Sequence, residues 1–281
     1  MKTERQAKAE FVKFFAADLK YINKDTVELY CNSNAALLRG CGWSGGEDGA
    51  GSNGRPKALV LEFPGLGGNS CLGGSMDELS VYDNPFTRAC AAQGIAVAYM
   101  FPGPWSWMNR GAVRITDLVV NAFMQKFGWE SDEDFSLVVM GGSMGGQTAL
   151  IYSIDSAHKV RACAAHCPCC DVGDCFRVLD EFPRTFLSAV NCYDMPLDDA
   201  LKLISPVERI SELPDIPYLI TADELDVIIP LEGLEKYVKR LTARGLNVNY
   251  MRLDNMGHGG ISDADRERLN EFVVRNCLSR E

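Results

Sequence analysis

Short apolar runs alternate with longer amphipathic stretches from about residue 57 to the end of the chain. Runs of strand length between segments of helix length are typical of a parallel sheet with crossover helices. The strand-length runs are continuously apolar more than alternating, as expected where both faces of a sheet are covered. The predicted strands are 58–63, 96–101, 135–140, 160–165, 217–221 and 248–253. The predicted helices are 85–93, 115–126, 145–154, 231–244 and 264–276, with Gly94, Gly128 and Gly245 expected to end three of them.

The first 57 residues follow a different pattern. Charged and apolar residues are interleaved over 1–20, which predicts an amphipathic N-terminal helix. Strand-like runs at 26–31 and 35–39 flank the turn residues 32–34 and predict an antiparallel hairpin. The segment 41–57 is rich in Gly, Ser, Asp and Asn, which favours a loop.

The interval 171–214 interrupts the alternation of strands and helices. It is far longer than the ~2 to 6 residues usual for a connection in such folds. Two helical patterns lie within it, near 174–187 and 197–204. We therefore expect one α/β domain over 1–281, with 171–214 forming a small helical cap over one end of the sheet.

Composition narrows the possible partners. The 281 residues are 47% hydrophobic and 23% charged, which is ordinary globular usage, and the net charge is −10. An acidic chain repels nucleic acid and anionic lipid, so we expect neither as a partner. Since no run approaches the ~18 apolar residues of a bilayer span and the N-terminus lacks a secretion signal, we expect a cytoplasmic protein. The eleven cysteines are then expected to be free thiols.

The segment Gly141-Gly142-Ser143-Met144-Gly145 matches G-x-S-x-G. The pattern alone is weak, but a predicted strand ends just before it and a predicted helix starts at its last glycine. Ser143 is then placed on a sharp strand-to-helix turn that exposes a nucleophile. The alternative is a glycine-rich turn whose serine caps the helix.

A serine nucleophile needs a histidine to take its proton, and the chain has three. His158 lies in a charged turn and is expected to be a solvated surface residue. His166 ends a predicted strand, where it matches no expected base. His258 follows the last predicted strand on a glycine-flanked loop, so it is the candidate base.

The base needs a carboxylate to orient it, and two candidates follow the predicted strand 217–221. Asp223 is nearer the strand end. Asp226 is followed by an apolar run and Pro230. We prefer Asp226 and keep Asp223 as the alternative.

The chain order Ser143, Asp226, His258 resembles the α/β-hydrolase superfamily. In that superfamily, segments of the form Asp-x-(Val/Ile)-(Val/Ile)-Pro and Gly-His-Gly carry the acid and the base, and here they stand at 226–230 and 257–259. The resemblance covers roughly residue 57 to the C-terminus. It implies an α/β-hydrolase fold, a mostly parallel sheet with helices on both faces, and a catalytic triad. The motif order is also similar to that of the prolyl-oligopeptidase catalytic domain.

Acyl transfer requires two N–H donors for the oxyanion. Met144, directly after the nucleophile, supplies one by position. The segment Pro64-Gly65-Leu66-Gly67-Gly68 looks like the superfamily's His-Gly-x-x-Gly loop, which implies Leu66 as the second donor. Proline replaces the histidine of that pattern, but a backbone donor does not depend on that side chain.

Two further clusters lie near the predicted strand ends. Trp105, Trp107 and Met108 follow a strand and either line an apolar substrate pocket or pack beneath the cap. The thiols between Cys167 and Cys175 are crowded at one strand end and lack the paired spacing of structural zinc sites, so we predict no metal.

The sequence as a whole predicts a serine hydrolase that cleaves a small-molecule ester with a small or aromatic acyl group, with no cofactor. Short peptides are the alternative substrates, as in the prolyl-oligopeptidase group. A non-catalytic small-molecule binder on the same scaffold is the alternative from another class. The sequence predicts no oligomeric state.

Overall fold

Seven strands form one sheet in the computed structural model, which describes residues 22–27, 32–33, 55–66, 84–178, 182–254 and 256–279. They are β1 (Asn32–Ser33), β2 (Ala58–Phe63), β3 (Ile95–Tyr99), β4 (Ser136–Gly142), β5 (Val160–His166), β6 (Tyr218–Asp223) and β7 (Val248–Leu253). Their order across the sheet is β1-β3-β2-β4-β5-β6-β7. Strands β2 to β7 run parallel, and β1 pairs antiparallel with β3 at one edge.

Helices follow the strands along the chain. They are α1 (Pro85–Ala92), α2 (Arg110–Phe127), α3 (Met144–Asp155), α4 (Val172–Val178), α5 (Phe182–Val190), α6 (Leu197–Leu203), α7 (Leu231–Ala243) and α8 (Asp263–Leu278), with a short 3-10 turn at Ile210–Glu212. Helices α2, α3 and α7 cover one face of the sheet together with the helices of 171–214, while α1 and α8 cover the other. This arrangement is the α/β-hydrolase fold.

Both faces of the sheet are buried at the central strands, which explains why those strands are continuously apolar. In β2, Leu59, Leu61 and Phe63 pack with one cluster, and Ala58 and Val60 pack with the other. Successive side chains of a strand point to opposite faces, so a strand covered on both sides needs apolar residues at every position.

The six predicted strands of the parallel sheet and the five helices around them are confirmed, with boundaries that shift by a few residues. Gly94, Gly128 and Gly245 have φ of 73°, 69° and 86°, as expected at helix ends. Helix α2 begins five residues before its predicted start. The Asn109 side chain caps it by accepting two backbone N–H bonds.

The helix predicted near 174–187 is helical at every residue that the structure describes, and residues 179–181 lie outside the described residues. Two helices, α4 and α5, occupy the interval, and α5 begins at Phe182. Pro183 stands in the first turn of α5, where the missing N–H costs nothing.

The predicted N-terminal hairpin is wrong at the residues that the structure describes. Thr26 lies in a turn, with its N–H bonded to the Asn23 carbonyl at 3.1 Å. Asn32 and Ser33, the expected turn, form β1 instead. A two-residue edge strand is held by backbone hydrogen bonds, so it needs no apolar pattern. The predicted helix over 1–20 lies outside the described residues.

Candidate active site

Ser143 stands on a tight turn between β4 and α3. Its φ of 57° is in the left-handed region, which is strained for a residue with a side chain. A Cβ on Gly145 would lie 2.1 Å from the Phe63 carbonyl oxygen, and one on Gly141 would lie 2.5 Å from the Gly145 backbone. Only glycine fits at these two positions of the G-x-S-x-G motif. Ser143 makes no side-chain cap to α3, so its hydroxyl remains available for another partner.

That partner is His258. The Ser143 Oγ lies 2.8 Å from His258 Nε2, and His258 Nδ1 lies 2.8 Å from Asp226 Oδ2. A carboxylate that accepts the Nδ1 proton leaves Nε2 as the acceptor for the serine hydroxyl. The structure therefore brings the three residues into the geometry of a nucleophile, a base and an orienting acid.

The Asp226 side chain is 1% exposed, and its second oxygen is held by the backbone. Oδ1 accepts the N–H groups of Ile228 and Ile229, each at 2.8 Å. The run after Asp226 thus curls back over the carboxylate and fixes its orientation. Asp226, and not Asp223, is the carboxylate that contacts the histidine.

Asp223 ends β6 and is also buried, but its hydrogen bonds are to the backbone. Its carboxylate accepts N–H groups from Leu225 at 2.8 Å, Met256 at 2.9 Å and Gly257 at 3.0 Å. Burial by itself raises the pKa of Asp223, but the backbone donors together outweigh it and hold the pKa below its ordinary value. This carboxylate is therefore charged at neutral pH.

The other two histidines differ in their distance from the site. His166 ends β5 beside the site, with Nδ1 2.7 Å from the Thr221 hydroxyl oxygen. Burial lowers its pKa, and contact with the Gly259 backbone only partly opposes this. His158 is not the solvated residue expected from its charged turn. Its Nδ1 lies 2.9 Å from Asp132 Oδ1, and its side chain is 8% exposed, because a carboxylate partner makes burial of an imidazole tolerable.

The predicted oxyanion donors flank the serine in different ways. Met144 is buried as the first residue of α3. Leu66 follows β2 in the loop that approaches the turn, since a Cβ on Gly65 would lie 3.7 Å from Ser143 Cβ. Gly67 and Gly68 lie outside the described residues.

The loop between β3 and α2 contacts helix α5 through Trp107. Trp107 is buried, donates from Nε1 to the Thr185 hydroxyl at 3.0 Å, and stacks obliquely on Phe186 with ring centroids 4.3 Å apart. Met108 is buried as well. Of the three predicted pocket residues, only Trp105 is partly exposed, with Arg184 4.7 Å above its ring. For Trp107, this favours the alternative of packing against the helices of 171–214.

Sequence reasoning missed Gln147, which is completely buried in α3. Its Nε2 donates to the Trp107 carbonyl at 3.0 Å and to the Ile204 carbonyl at 2.7 Å. One side chain thus joins α3, the helix that follows Ser143, to the loop of Trp107 and to the end of α6. A glutamine in the apolar stretch after the motif was the only signal for it.

The cysteine cluster is buried beside the cap. Cys169 and Cys175 bring their sulfurs within 3.1 Å, and burial raises the pKa of the Cys167 thiol to about 11. Thiols in such surroundings stay protonated at neutral pH and are poor nucleophiles. Among the described residues, no group of three or more His, Cys, Asp or Glu is placed to hold a metal ion.

The fold and the Ser-His-Asp contacts define the class of an α/β serine hydrolase. The prolyl oligopeptidase family matches residues 109–275, more than half of the chain. The chain belongs to this family. A search of curated proteins finds no match. Within the part of the chain that the structure describes, no helix has the length and apolar character needed to cross a bilayer.

Solved structures with the same fold include both esterases and peptidases. Esterase B from Lactobacillus rhamnosis has a TM-score of 0.58 at 13% identity, covering 78% of this chain and 76% of its own. A puromycin-hydrolyzing peptidase from Mycobacterium tuberculosis has a TM-score of 0.64 at 17% identity, covering 83% of this chain but 36% of its own. An acylaminoacyl peptidase from Pyrococcus horikoshii has a TM-score of 0.60 at 15% identity, covering 83% and 39%. At these identities the likeness concerns the fold alone.

Proposed function

We propose that this protein cleaves small-molecule carboxylic esters through an acyl-enzyme on Ser143. The observation that carries the proposal is the pair of 2.8 Å contacts that joins Ser143, His258 and Asp226. His258 takes the hydroxyl proton as Ser143 attacks the carbonyl carbon, and Asp226 stabilises the resulting imidazolium. The N–H groups of Met144 and Leu66 receive the oxyanion.

Collapse of the tetrahedral intermediate then releases the alcohol, which takes its proton from His258. Water attacks the acyl-enzyme with His258 again as the base, and the acid product leaves with Ser143 restored. Every proton in this cycle is carried by His258, so no cofactor is required.

Exposed apolar side chains support an apolar ester as substrate. Leu225 and Val227, on either side of Asp226, are 53% and 82% exposed, and Met256, two residues before His258, is 43% exposed. Large apolar side chains left exposed next to catalytic loops favour contact with an apolar group of a ligand. Trp105, at the same end of the sheet, adds a partly exposed aromatic surface.

A serine peptidase is the second candidate, and the family match favours it. The same acyl transfer cleaves an amide when His258 protonates the leaving amine. Short peptides would be the substrates.

The test compares 4-nitrophenyl esters from acetyl to decanoyl with aminoacyl and prolyl 4-nitroanilides, on wild type and Ser143→Ala. Ester turnover that disappears in Ser143→Ala is the expected result, and the preferred chain length gives the size of the acyl site. Turnover of anilides alone would establish the peptidase instead. If neither substrate series is turned over and a fluorophosphonate does not label the protein, the proposal of an enzyme is contradicted and a small-molecule binder is favoured.

A further inference from the structure

The Asp223 carboxylate contacts both loops that carry the proposed acid and base. Leu225, whose N–H it accepts, immediately precedes Asp226. Met256 and Gly257, whose N–H groups it also accepts, immediately precede His258. Asp223 itself is the last residue of β6 and is 1% exposed, so its position is fixed by the sheet.

We propose that Asp223 is a positioning residue, which sets the spacing between the loops of Asp226 and His258 so that the histidine reaches both the acid and the nucleophile. This inference rests on the proposed function of Ser143, Asp226 and His258. The two loops follow different strands, and Asp223 bonds to both of them. One carboxylate accepts all three hydrogen bonds, at 2.8 to 3.0 Å, and therefore ties the two loops to the same point.

The chemistry of the contact requires a carboxylate. Oδ1 accepts from Leu225 and Gly257, while Oδ2 accepts from Met256. An amide at this position has one accepting oxygen, so its NH2 group would face at least one backbone N–H. The loop on that side would have to move away. Hydrogen bonds to an ionised acceptor are also shorter and stronger than those to a neutral one.

Displacement of the base loop acts on the rate and not on substrate affinity. A shift of about 1 Å in a catalytic group can cost about 100-fold in rate. We expect Asp223→Asn to lower kcat by about 10- to 100-fold and to leave KM within about twofold. The rate of Ser143 labelling by a fluorophosphonate should fall by a similar factor, whichever substrate class the enzyme uses.

The matched control is Glu224→Gln, the same chemical change one residue further on. Glu224 points to the surface, where it pairs with Arg252 at 2.9 Å. This variant should label and turn over at the wild-type rate. If Asp223→Asn is recovered unfolded, Asp223→Glu keeps the buried charge with a displaced carboxylate, and a slower labelling rate at unchanged fold is expected there as well.

A double-mutant cycle separates positioning from a general structural role. If Asp223 acts through the contact between Asp226 and His258, its substitution should cost much less in an Asp226→Asn background than in wild type. Equal costs in the two backgrounds would overturn the inference. A lower thermal midpoint with unchanged kcat and labelling in Asp223→Asn would also overturn it. Wild-type protein that is not labelled at Ser143 would overturn the proposed function and this inference together.

Discussion

Asp226→Asn is the substitution whose outcome follows most directly from the geometry of the site. It keeps the size of the side chain and replaces one oxygen by NH2. In the native site Oδ1 accepts two backbone N–H groups and Oδ2 accepts from His258 Nδ1. If the amide oxygen keeps the two backbone bonds, its NH2 faces Nδ1. The histidine must then carry its proton on Nε2, where it can no longer act as the base toward Ser143.

The amide can restore the productive tautomer only by flipping. Its NH2 group would then face the N–H groups of Ile228 and Ile229 and leave both without an acceptor. Each lost partner costs about 1–3 kcal/mol, so the flip costs about 4 kcal/mol in total. At 1.36 kcal/mol per tenfold in rate, this corresponds to a fall in kcat of about 1,000-fold. Loss of the negative charge opposite the imidazolium adds to that figure.

The assay is the rate of fluorophosphonate labelling at Ser143, with kcat on the best substrate from the ester and anilide series. Ser143→Ala gives the background rate, and Glu224→Gln controls for the loss of a carboxylate at another position. The thermal midpoint of each variant shows whether the fold is intact. A folded Asp226→Asn protein within tenfold of the wild-type rate would refute the assignment of Asp226 as the orienting acid.

Three further substitutions test the surroundings of the site. Gly145→Ala should give no soluble folded protein, because its Cβ would lie 2.1 Å from a backbone oxygen of β2. The control Gly233→Ala, with no atom within 4 Å of its Cβ, should fold normally. Equal recovery of the two variants would contradict the close approach of the backbones at Gly145. Trp107→Phe removes a buried hydrogen bond to Thr185 and should lower the free energy of unfolding, measured in urea, by about 1–3 kcal/mol. An unchanged free energy would show that this hydrogen bond does not stabilise the fold. Burial lowers the pKa of His166, so the unfolded state binds the proton more tightly, and the free energy of unfolding should fall as pH decreases below about 6.5. His166→Gln should flatten the dependence of the thermal midpoint on pH between about 5 and 7. An unchanged slope would assign the pH dependence to another group.

The order of strands and helices was readable from the sequence because it depends on local patterns. The central strands of the parallel sheet are apolar at nearly every position, and glycines stand at the ends of three helices. The G-x-S-x-G motif was readable for a related reason. Its first and last glycines are required because a Cβ at either position would lie only 2.1 to 2.5 Å from backbone atoms. A steric requirement of this kind can be recognised in a sequence, because it restricts a single position to glycine.

Errors occurred where the local pattern was weak or tertiary contacts decided. Asn32 and Ser33 form an edge strand beside β3 without any apolar pattern. His158 has a carboxylate partner 26 residues away in the chain, which a charged turn does not reveal.

By itself, the sequence determined the order of the parallel strands and of the helices between them, the turn that carries Ser143 and the loop that carries His258. Only the tertiary structure decided which of Asp223 and Asp226 contacts His258, because both are aspartates within three residues of each other after one strand. Their contacts are with groups that are distant in the chain: Asp226 meets the imidazole of His258, and Asp223 meets the backbone just before it. A carboxylate has the same composition and spacing in either role, and its function depends on which donors the fold brings to it.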